Sequence, residues 1–489
     1  MKNSLILLLI ALGTSTLTAK TPNILFIFLD DFGWRDTSYM GSDFYETPNL
    51  DKLASEGMVF TDAYACAANC APSRACLLSG QYTPRHEIYN VGTKPRGNSQ
   101  HRRLEHIPGK STLDPNIKTW AQSLKEAGYI TATMGKWHLS EDPLPYGFDL
   151  NVGGTHSGSP PRGYYPPHPR APELQDVPDD EYLTDSICNR AVQFIRANQD
   201  NKWALYLTLF AVHTPLNAKK ELAAKYKSKM PGDLHNHVAM ATMVQAVDDG
   251  VGRIVATLKK LNLSKNTVVF FFSDNGGYGP ATDMAPLKGY KGTYYEGGIR
   301  VPFFVKWPGV IKPGSRTSEP MIGVDLHPTF REIAGARTPG QAKDGLSLVP
   351  FLKGDTEHIA DRALFWHFPA YLQSYQVIGE QRDPLFRSRP CSIIRRGDWK
   401  LHHYLEDDAH ELYNLKDDIG ESNNLAGRMP GKVAQLRNEL DAWRSRVKAA
   451  MPRRRNPEFD AQAETVAIKA MLKRMEGQAG NKKKQRTKP

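Results

Sequence analysis

Apolar and polar positions along this chain form alternating stretches that predict strands and helices in turn. Four short apolar runs rich in β-branched and aromatic residues predict buried strands, at residues 23–29, 129–134, 203–212 and 267–272. Stretches with helical periodicity lie between them, for example residues 119–127 and 237–261. Any one run alone also fits a segment of a buried helix. The order of the runs predicts an α/β fold, with a sheet flanked by helices on both faces.

The pattern changes in two Gly/Pro-rich, aromatic segments, residues 153–178 and 366–390, which we expect to be irregular loops. Beyond them, residues 392–404 and 411–415 predict short antiparallel strands, and residues 429–449 predict a helix. These elements indicate a smaller C-terminal α+β subdomain.

The amino terminus has the pattern of a secretory signal. A lysine near the start is followed by the apolar run 5–12 and by small residues that end at Ala19. The alternative is a buried N-terminal helix or strand. The apolar run is too short to span a bilayer, and we expect no membrane span elsewhere. We therefore expect an exported protein, periplasmic or secreted. Its signal peptide, large domain, subdomain and basic, disordered tail are predicted at residues 1–19, 20–365, 366–455 and 456–489.

The formal net charge of +11 over 489 residues favours anionic partners, such as nucleic acids, acidic polysaccharides or membrane surfaces. The basic run at residues 482–488 supplies part of this excess and is typical of a solvated chain end. Because charge alone suggests it, we expect no nucleic-acid partner. The five cysteines are too few for a disulfide scaffold and odd in number, so at least one is unpaired or modified.

Polar residues follow directly after the four predicted strands, in chain order Asp30 and Asp31, Lys136 and His138, His213, and Asp274 and Asn275. In open α/β sheets, ligands bind beyond the carboxyl ends of the strands, so we expect these side chains to meet in one site. The acids and the asparagine offer hard oxygen ligands, which suit Ca²⁺ or Mg²⁺ better than zinc or copper. An isolated Asp-Asp pair is more often a strand-end cap, but the second pair favours a metal site.

Cys70 precedes a predicted helix that begins near Pro72 and ends near Gly80. A group at position 70 faces the N-terminus of this helix, which favours an anion. A buried structural cysteine and a thiolate nucleophile beside a base are both open interpretations. A soft thiolate is nevertheless a poor neighbour for a cation held by hard oxygens.

Several motifs, in order, resemble the formylglycine-dependent (type I) sulfatases of the alkaline phosphatase-like superfamily. The run Cys70 to Gly80 matches the family's Cys-x-Pro-Ser-Arg pattern with its downstream Leu-x-Ser-Gly, and residues 135–139 and 292–302 match further motifs. The resemblance extends over nearly the whole mature chain. The family contains arylsulfatases and sulfatases that act on polysaccharides or glycosaminoglycans. It implies a large mixed, mostly parallel sheet flanked by helices, with hydrolysis of sulfate esters as the activity.

The resemblance also implies a modified nucleophile and a Ca²⁺ site. In this family the cysteine is oxidised to Cα-formylglycine, so a formylglycine-generating enzyme is an implied partner during maturation. Ca²⁺, in preference to Mg²⁺, is held by Asp30, Asp31, Asp274, Asn275 and the formylglycine formed from Cys70. One hydroxyl of the hydrated aldehyde attacks sulfur while an acid protonates the leaving sugar oxygen. The second hydroxyl then loses its proton, sulfate leaves and the aldehyde returns.

Basic residues complete the implied catalytic set, which besides Cys70 comprises Arg74, Lys136, His138, His213 and Lys291. In the family pattern Arg74 steadies the hydrated aldehyde, and the two lysines pair with the sulfate. His213 lies near the leaving oxygen, and His138 lies near the second hydroxyl. Lys288 competes for the role of Lys291, but only Lys291 directly precedes the Gly-Thr of the family pattern.

Two loops, residues 153–168 and 366–371, are expected to border the pocket. Aromatic, histidine and arginine side chains there can stack on a sugar and form hydrogen bonds to it. The substrate-binding candidates are His156, Arg162, His367 and Tyr371. An ordinary packed loop is the alternative.

The leading hypothesis is a sulfatase acting on a sulfated polysaccharide or its oligosaccharides. A phosphonate monoesterase or phosphodiesterase with the same nucleophile is the nearest alternative. A non-catalytic protein that binds sulfated glycans is a further alternative, and it requires Cys70 to remain unmodified.

Overall fold

The computed structural model describes residues 21–336, 344–374 and 382–486, with side chains described as far as residue 475. The predicted signal peptide lies outside the described residues. Across these ranges, none of the helices combines the length and the hydrophobicity that crossing a bilayer requires.

Sixteen strands form in the described residues. They are β1 (Asn23–Leu29), β2 (Met58–Phe60), β3 (Ala63–Tyr64), β4 (Ile130–Gly135), β5 (Leu150–Val152), β6 (Trp203–Thr208), β7 (Thr267–Ser273), β8 (Phe303–Lys306), β9 (Ser315–Thr317), β10 (Met321–Ile322), β11 (Ala363–Phe368), β12 (Leu372–Gln373), β13 (Phe386–Ser388), β14 (Cys391–Arg396), β15 (Trp399–Tyr404) and β16 (His410–Asn414).

Twelve α-helices accompany them in the same ranges. They are α1 (Pro48–Ser55), α2 (Cys70–Ser79), α3 (Thr83–His86), α4 (Trp120–Glu126), α5 (Leu183–Ala197), α6 (Lys220–Ser228), α7 (Val238–Lys260), α8 (Glu296–Ile299), α9 (Leu326–Ile333), α10 (Val349–Lys353), α11 (Pro430–Arg446) and α12 (Ala461–Arg486).

The large sheet has eight strands in the order β5-β4-β6-β1-β7-β8-β2-β9. Its centre is parallel, because β1 pairs in parallel with both β6 and β7, and β4 pairs in parallel with β6. Strand β8 runs antiparallel to β7 and β2, which makes the sheet mixed. The four predicted strands are its adjacent members β4, β6, β1 and β7, and the predicted fold class is confirmed.

The pleat of β1 explains how this sheet buries both faces. Leu25, Ile27 and Leu29 point into one hydrophobic cluster, which also contains residues of α5 and α7. Ile24 and Phe26 point into the opposite cluster, which contains residues of α2, α4 and α9. Because side chains alternate between the faces of a strand, a strand covered on both sides must be apolar throughout. This is why the run was recognisable in the sequence.

The C-terminal subdomain is a four-stranded antiparallel sheet, in the order β11-β14-β15-β16, covered by α11. Trp443 of α11 stacks on Phe365 of β11 with ring centroids 4.7 Å apart. The sheet begins at Ala363, so the predicted boundary between residues 365 and 366 falls inside a strand. The first strand is apolar, and its pairing partner follows more than twenty residues later, so the sequence alone did not assign it to this sheet.

Within the segment predicted as a disordered tail, residues 456–489, the structure has a helix, α12 (Ala461–Arg486). Glu464 of this helix is only 4% exposed, and it lies 2.8 Å from Arg389 and 3.0 Å from Arg103. These ion pairs fasten the helix to the subdomain and to a loop of the large domain. The basic run at residues 482–488 dominates the composition of this segment, so the composition gave no indication that Glu464 forms buried ion pairs.

Candidate active site

The acids predicted to bind a metal lie side by side at the carboxyl edge of the large sheet. Leu29 of β1 is paired with Ser273 of β7, so the residues that follow these strands are neighbours. The backbone N–H of Asp31 donates to Asp274 Oδ1 at 3.1 Å, and Asn275 Nδ2 donates to Asp31 Oδ1 at 2.9 Å. Asp30, Asp31, Asp274 and Asn275 are at most 1% exposed.

Two oxygens of this cluster have no hydrogen-bond partner among the described residues, Asp30 Oδ1 and Asn275 Oδ1. Buried polar atoms are nearly always paired, so two such atoms at one site call for a ligand that accepts their lone pairs. Ligand atoms of Asp30, Cys70 and Asp274 all lie within 4.8 Å of one another. Hard oxygens converging in this way fit Ca²⁺ or Mg²⁺, whereas the sulfur of Cys70 does not.

Cys70 is the first residue of α2, and every residue of that helix is buried. The helix ends at Ser79 and is capped by Gly80, which has a positive φ of 67° and whose N–H donates to the carbonyl of Cys76. Burial raises the pKa of the Cys70 thiol, although Lys136 and Lys291 oppose this shift. The thiol is therefore neutral at physiological pH and a weak nucleophile as it stands. None of the five cysteines, all of which are described, forms a disulfide.

Arg74, one turn along α2, is 1% exposed and links three strand ends. Its guanidinium donates twice to Asp274 Oδ2, at 3.0 and 2.8 Å. Its Nη1 donates to the carbonyl of Lys136 at 3.0 Å and to Thr208 Oγ1 at 2.5 Å. This contact with Thr208, at the end of β6, was not predicted, because an isolated threonine in an apolar run carries no distinguishing pattern.

Each predicted lysine pairs with one of the predicted metal ligands. Lys136 Nζ lies 2.6 Å from Asp30 Oδ2, and Lys291 Nζ lies 2.7 Å from Asp31. Burial opposes the charged form of Lys291, but Asp31 outweighs it and raises the pKa of this lysine. Lys288 instead lies over the ring of Tyr295, 4.3 Å from its centroid. The structure thus places Lys291, rather than Lys288, beside the acids.

The predicted histidines are both close to the charged residues of this cluster. His213 Nε2 lies 3.9 Å from Asp31 Oδ2, and its Nδ1 is 2.7 Å from the carbonyl of Thr214, to which it donates. Burial and the nearby Lys291 and Lys136 lower the pKa of His213 to about 3, so its Nε2 presents a lone pair to the site. His138 has a positive φ of 67°, and its buried Nδ1 has no partner among the described residues. Burial also lowers its pKa.

A cavity of about 650 Å³ lies beside the segments that carry the two histidines, because its lining residues Thr155 and Phe210 accept backbone hydrogen bonds from His138 and His213. Its lining includes the predicted residues His156 and Arg162 from the Gly/Pro-rich loop. It also includes Arg170 and Phe210, which were not predicted. Arg170 lies within the Gly/Pro-rich segment 153–178, and this position in the sequence could have suggested that it lines the cavity.

The structure does not bring His367 and Tyr371, both predicted to bind substrate, to the cavity: each is 1% exposed and forms hydrogen bonds within the fold. His367 Nε2 donates to the carbonyl of Ala450 at 2.9 Å, and its Nδ1 is 2.7 Å from Ser392 Oγ. The hydroxyl of Tyr371 accepts from the N–H of Leu104 at 2.9 Å and donates to Glu406. His367 belongs to β11, where the sequence suggested a loop.

Known proteins resemble this chain over most of its length. The profile of the family described as Sulfatase matches residues 22–336, and the profile described as N-sulphoglucosamine sulphohydrolase, C-terminal, matches residues 290–446. A sulfatase of Formosa agariphila is 34% identical over 87% of this chain and 89% of that protein. The N-acetylgalactosamine-6-sulfatase of Rattus norvegicus is 33% identical over 83% of this chain and 76% of that protein.

Among solved structures, Ps i-CgsB in complex with k-i-k-neocarrahexaose superposes with a TM-score of 0.72. It is 29% identical and covers 93% of this chain and 98% of that chain. The likeness thus includes both the large domain and the C-terminal subdomain. With the family profile matching more than half of the residues, the chain belongs to the sulfatase family and is a sulfuric ester hydrolase of the alkaline phosphatase-like fold.

Proposed function

We propose that this protein is an exported, Ca²⁺-dependent sulfatase that removes sulfate from a sulfated polysaccharide or its oligosaccharides. The observation that carries the proposal is the convergence, at one strand edge, of Cys70 with buried acids, two lysines and two histidines. Its nucleophile is a hydrated Cα-formylglycine formed from Cys70 by a formylglycine-generating enzyme.

The state of Cys70 supports this modification. Its thiol is buried, its pKa is raised, and it faces hard oxygen ligands that a sulfur atom does not complement. Oxidation to an aldehyde, followed by hydration, would put two hydroxyl oxygens in the place of the sulfur. The N-terminus of α2 would then favour the partial negative charge of the attacking oxygen.

The unpaired oxygens of Asp30 and Asn275 support a cation site, and the ligands would be Asp30, Asp31, Asp274, Asn275 and the modified side chain at position 70. A bound Ca²⁺ would supply positive charge that stabilises the sulfuryl oxygens and the deprotonated nucleophile. Arg74 holds Asp274 in place through its two hydrogen bonds and so orients the ligand set.

The remaining basic residues have distinct tasks in this proposal. Lys136 and Lys291 bind sulfuryl oxygens once the acids they now pair with hold the cation. His213 is neutral beside the lysines and has to gain a proton before it can protonate the leaving sugar oxygen. The negative charge of the sulfate would raise its pKa towards that state. His138 would take the proton from the second hydroxyl.

A glycan substrate is supported by two relatives and by the cavity. One relative is an N-acetylgalactosamine-6-sulfatase, and the other is a structure solved with k-i-k-neocarrahexaose. The cavity beside the histidines is lined by His156, Arg162, Ser157 and Ser159, which can form hydrogen bonds to sugar hydroxyls. The N-terminal pattern of the sequence supports export.

Mass spectrometry of the peptide that spans residue 70 tests the nucleophile. We expect the aldehyde in active enzyme purified from a host that has the modifying enzyme, and no activity for Cys70→Ala. An intact thiol in fully active protein would contradict the proposal. Dialysis against a calcium chelator should abolish turnover, and added Ca²⁺ should restore it.

The substrate class is tested with a panel of defined sulfated oligosaccharides of galactosamine, glucosamine and galactose, supplied as pairs with a neutral or an anionic neighbouring sugar. Release of sulfate from at least one pair is expected. An aryl sulfate and an aryl phosphodiester, assayed in parallel, separate this activity from that of a phosphoester hydrolase, which would prefer the second substrate. If the phosphodiester alone is hydrolysed, the proposal is wrong.

A further inference from the structure

Two arginines on the rim of the cavity beside the histidines have no acidic partner in the described ranges. Arg162 and Arg170 both line this cavity and are exposed, and neither takes part in a recorded ion pair or side-chain hydrogen bond. Arg74 in the active site, by contrast, is paired with Asp274. Two uncompensated guanidinium groups at one cavity suit an anion.

The cavity lies next to the backbone segments that carry the two proposed catalytic histidines. The carbonyl of Thr155, one of its lining residues, accepts from the backbone N–H of His138 at 2.9 Å. The carbonyl of Phe210, another lining residue, accepts from the N–H of His213 at 2.9 Å. A sugar next to the one being desulfated would therefore lie within this cavity.

The backbone that carries the two arginines is held by one buried histidine. His168 is 0% exposed, and its Nδ1 donates to the carbonyl of Pro161 at 2.8 Å. The carbonyl of His168 accepts from the N–H of Ala171 at 3.1 Å. Pro161 precedes Arg162, and Ala171 follows Arg170, so the same residue fixes the neighbours of both arginines. Preorganisation of this kind lowers the entropic cost of binding.

The cavity contains one acid, Glu141, but it does not neutralise the arginines. Its carboxylate is 88% exposed and lies 3.9 Å from His156. Glu141 forms no ion pair with either arginine.

We infer that Arg162 and Arg170 bind a second anionic group, sulfate or carboxylate, on the sugar that adjoins the one whose sulfate is removed. This inference rests on the proposed glycan sulfatase function and narrows its substrate to multiply charged glycans. The forked guanidinium groups match the paired oxygens of either anion.

The test uses the Ca²⁺-loaded, modified enzyme and the pair of oligosaccharides in the panel that the wild type hydrolyses fastest. The two members share the cleaved sulfate and differ in whether the neighbouring sugar is neutral or sulfated. A third probe carries a carboxylate on that neighbour. The measured quantity is selectivity, the ratio of kcat/KM for the charged probe to kcat/KM for the neutral probe.

We expect the wild type to prefer a charged neighbour, and the double variant Arg162→Ala/Arg170→Ala to lose about tenfold in this selectivity, mainly through KM. The double Arg→Lys variant should retain part of it, because the charge remains and the fork is lost. The sulfate and carboxylate probes show which anion the site prefers. The matched control is Arg196→Ala, an exposed arginine at the end of α5, which leads into the opposite, amino end of β6.

Equal losses on neutral and charged probes would overturn the inference, since the arginines would then act on the cleaved sugar or on the fold. An unchanged selectivity in the double variant would overturn it as well, and would leave the sulfatase function standing. If the wild type hydrolyses no member of the panel, the proposed function fails and the inference falls with it.

Discussion

Arg74 forms hydrogen bonds to residues at the ends of three strands that border the active site. Its side chain joins α2 to Asp274 after β7, to the backbone of Lys136 after β4, and to Thr208 at the end of β6. The guanidinium also lies over the ring of Phe28, 4.9 Å from its centroid. One buried cation thus fixes the position of the helix that carries the nucleophile relative to the strand ends that carry the acids.

Replacing Thr208 tests this arrangement without adding or removing a charge. Thr208→Val removes the hydroxyl that accepts from Arg74 Nη1 and donates to the Lys136 carbonyl, and it leaves the buried guanidinium N–H unpaired. We expect a cost of about 1–3 kcal/mol and a fall in kcat of about tenfold or more, measured by thermal unfolding and by sulfate release.

Thr133→Val is the matched control for this substitution. The Thr133 hydroxyl, in β4, is buried and has no hydrogen-bond partner among the described residues. Its removal should leave activity unchanged and should leave stability unchanged or slightly higher. Equal effects of the two valine variants would show that the hydroxyl of Thr208 does not orient Arg74.

At the scale of residues, the sequence predicted the centre of the site better than its edge. Asp30 and Lys136 follow directly after buried strands, so their meeting at one edge follows from the topology of a parallel sheet. His367 is buried away from the cavity, and no local pattern distinguishes a histidine that lines a pocket from one that forms hydrogen bonds within a core. Arg170 was missed for a similar reason, since its exposure depends on how the loop folds.

At the scale of elements, α12 is held to the rest of the protein chiefly through Glu464. The carboxylate is 5% exposed and bridges Arg389, which is 9% exposed, and Arg103, which is 44% exposed. The helix therefore links Arg103 of the large domain with Arg389 of the subdomain, two residues that are far apart in sequence.

Glu464→Gln should destabilise this link. The substitution leaves the buried Arg389 with two carboxylates, Asp383 and Glu406, in place of three. We expect a loss of about 1–3 kcal/mol, and faster proteolysis within α12 than in the wild type. Glu458→Gln, at an exposed position shortly before the helix, is the control and should have no effect. Equal proteolysis rates in the two variants would contradict the anchoring role.

The central strands were predictable because each is apolar along its whole length. Strands β2, β8 and β9 were not predicted, since they are short and their pairing joins segments far apart in the chain. Met58 of β2, for example, is paired with Val305 and with Ser315. Register of this kind is decided by tertiary packing rather than by local pattern.

At the scale of the whole molecule, a buried charge network joins the two parts of the protein. Lys400 of the subdomain lies 2.8 Å from Glu296 of the large domain and 2.9 Å from Glu421, and all three side chains are 0% exposed. Burial opposes ionisation of Glu296, but Lys400, Arg300 and other cations hold its pKa well below the usual range. The two parts are therefore expected to unfold together.

Lys400→Met should destabilise the whole protein, because it leaves two buried carboxylates without their shared cation. Removing one partner of a buried ion pair costs about 3–5 kcal/mol. Calorimetry should show one transition at a lower temperature for this variant. Lys416→Met, at an exposed position in the same subdomain, should leave the transition where it is. Matching transitions in the two variants would show that the network does not stabilise the fold.

Acid should destabilise the protein through histidines that are buried in the neutral form. Burial lowers the pKa of His86 and of His367 to about 3, against 6.5 for an unperturbed histidine. Below pH 6.5 these histidines are protonated in the unfolded chain but remain neutral in the folded protein. The free energy of unfolding therefore decreases progressively towards pH 3. Each residue should contribute a loss of about 2–3 kcal/mol by pH 4.5.

Denaturant unfolding at pH 7 and at pH 4.5 measures this loss. His367→Gln should reduce the difference between the two pH values, whatever its effect on stability at pH 7. The exposed His358 serves as the contrast, because its hydrogen bond to Glu319 raises its pKa instead of lowering it, so His358→Gln should not reduce the difference. A difference that is the same in the wild type and in His367→Gln would contradict the assignment.

The ion pairs of the active site have a consequence for the order in which ligands bind. Three carboxylates and three cations neutralise one another there, in the pairs Asp30–Lys136, Asp31–Lys291 and Asp274–Arg74. Without a bound metal ion these six side chains carry no net charge, so the pocket attracts an anion only weakly. A divalent cation would leave a surplus of positive charge and would compete with the lysines for the carboxylates. Inorganic sulfate should consequently bind after Ca²⁺ and only weakly without it, a sequence that calorimetric titration in either order would reveal.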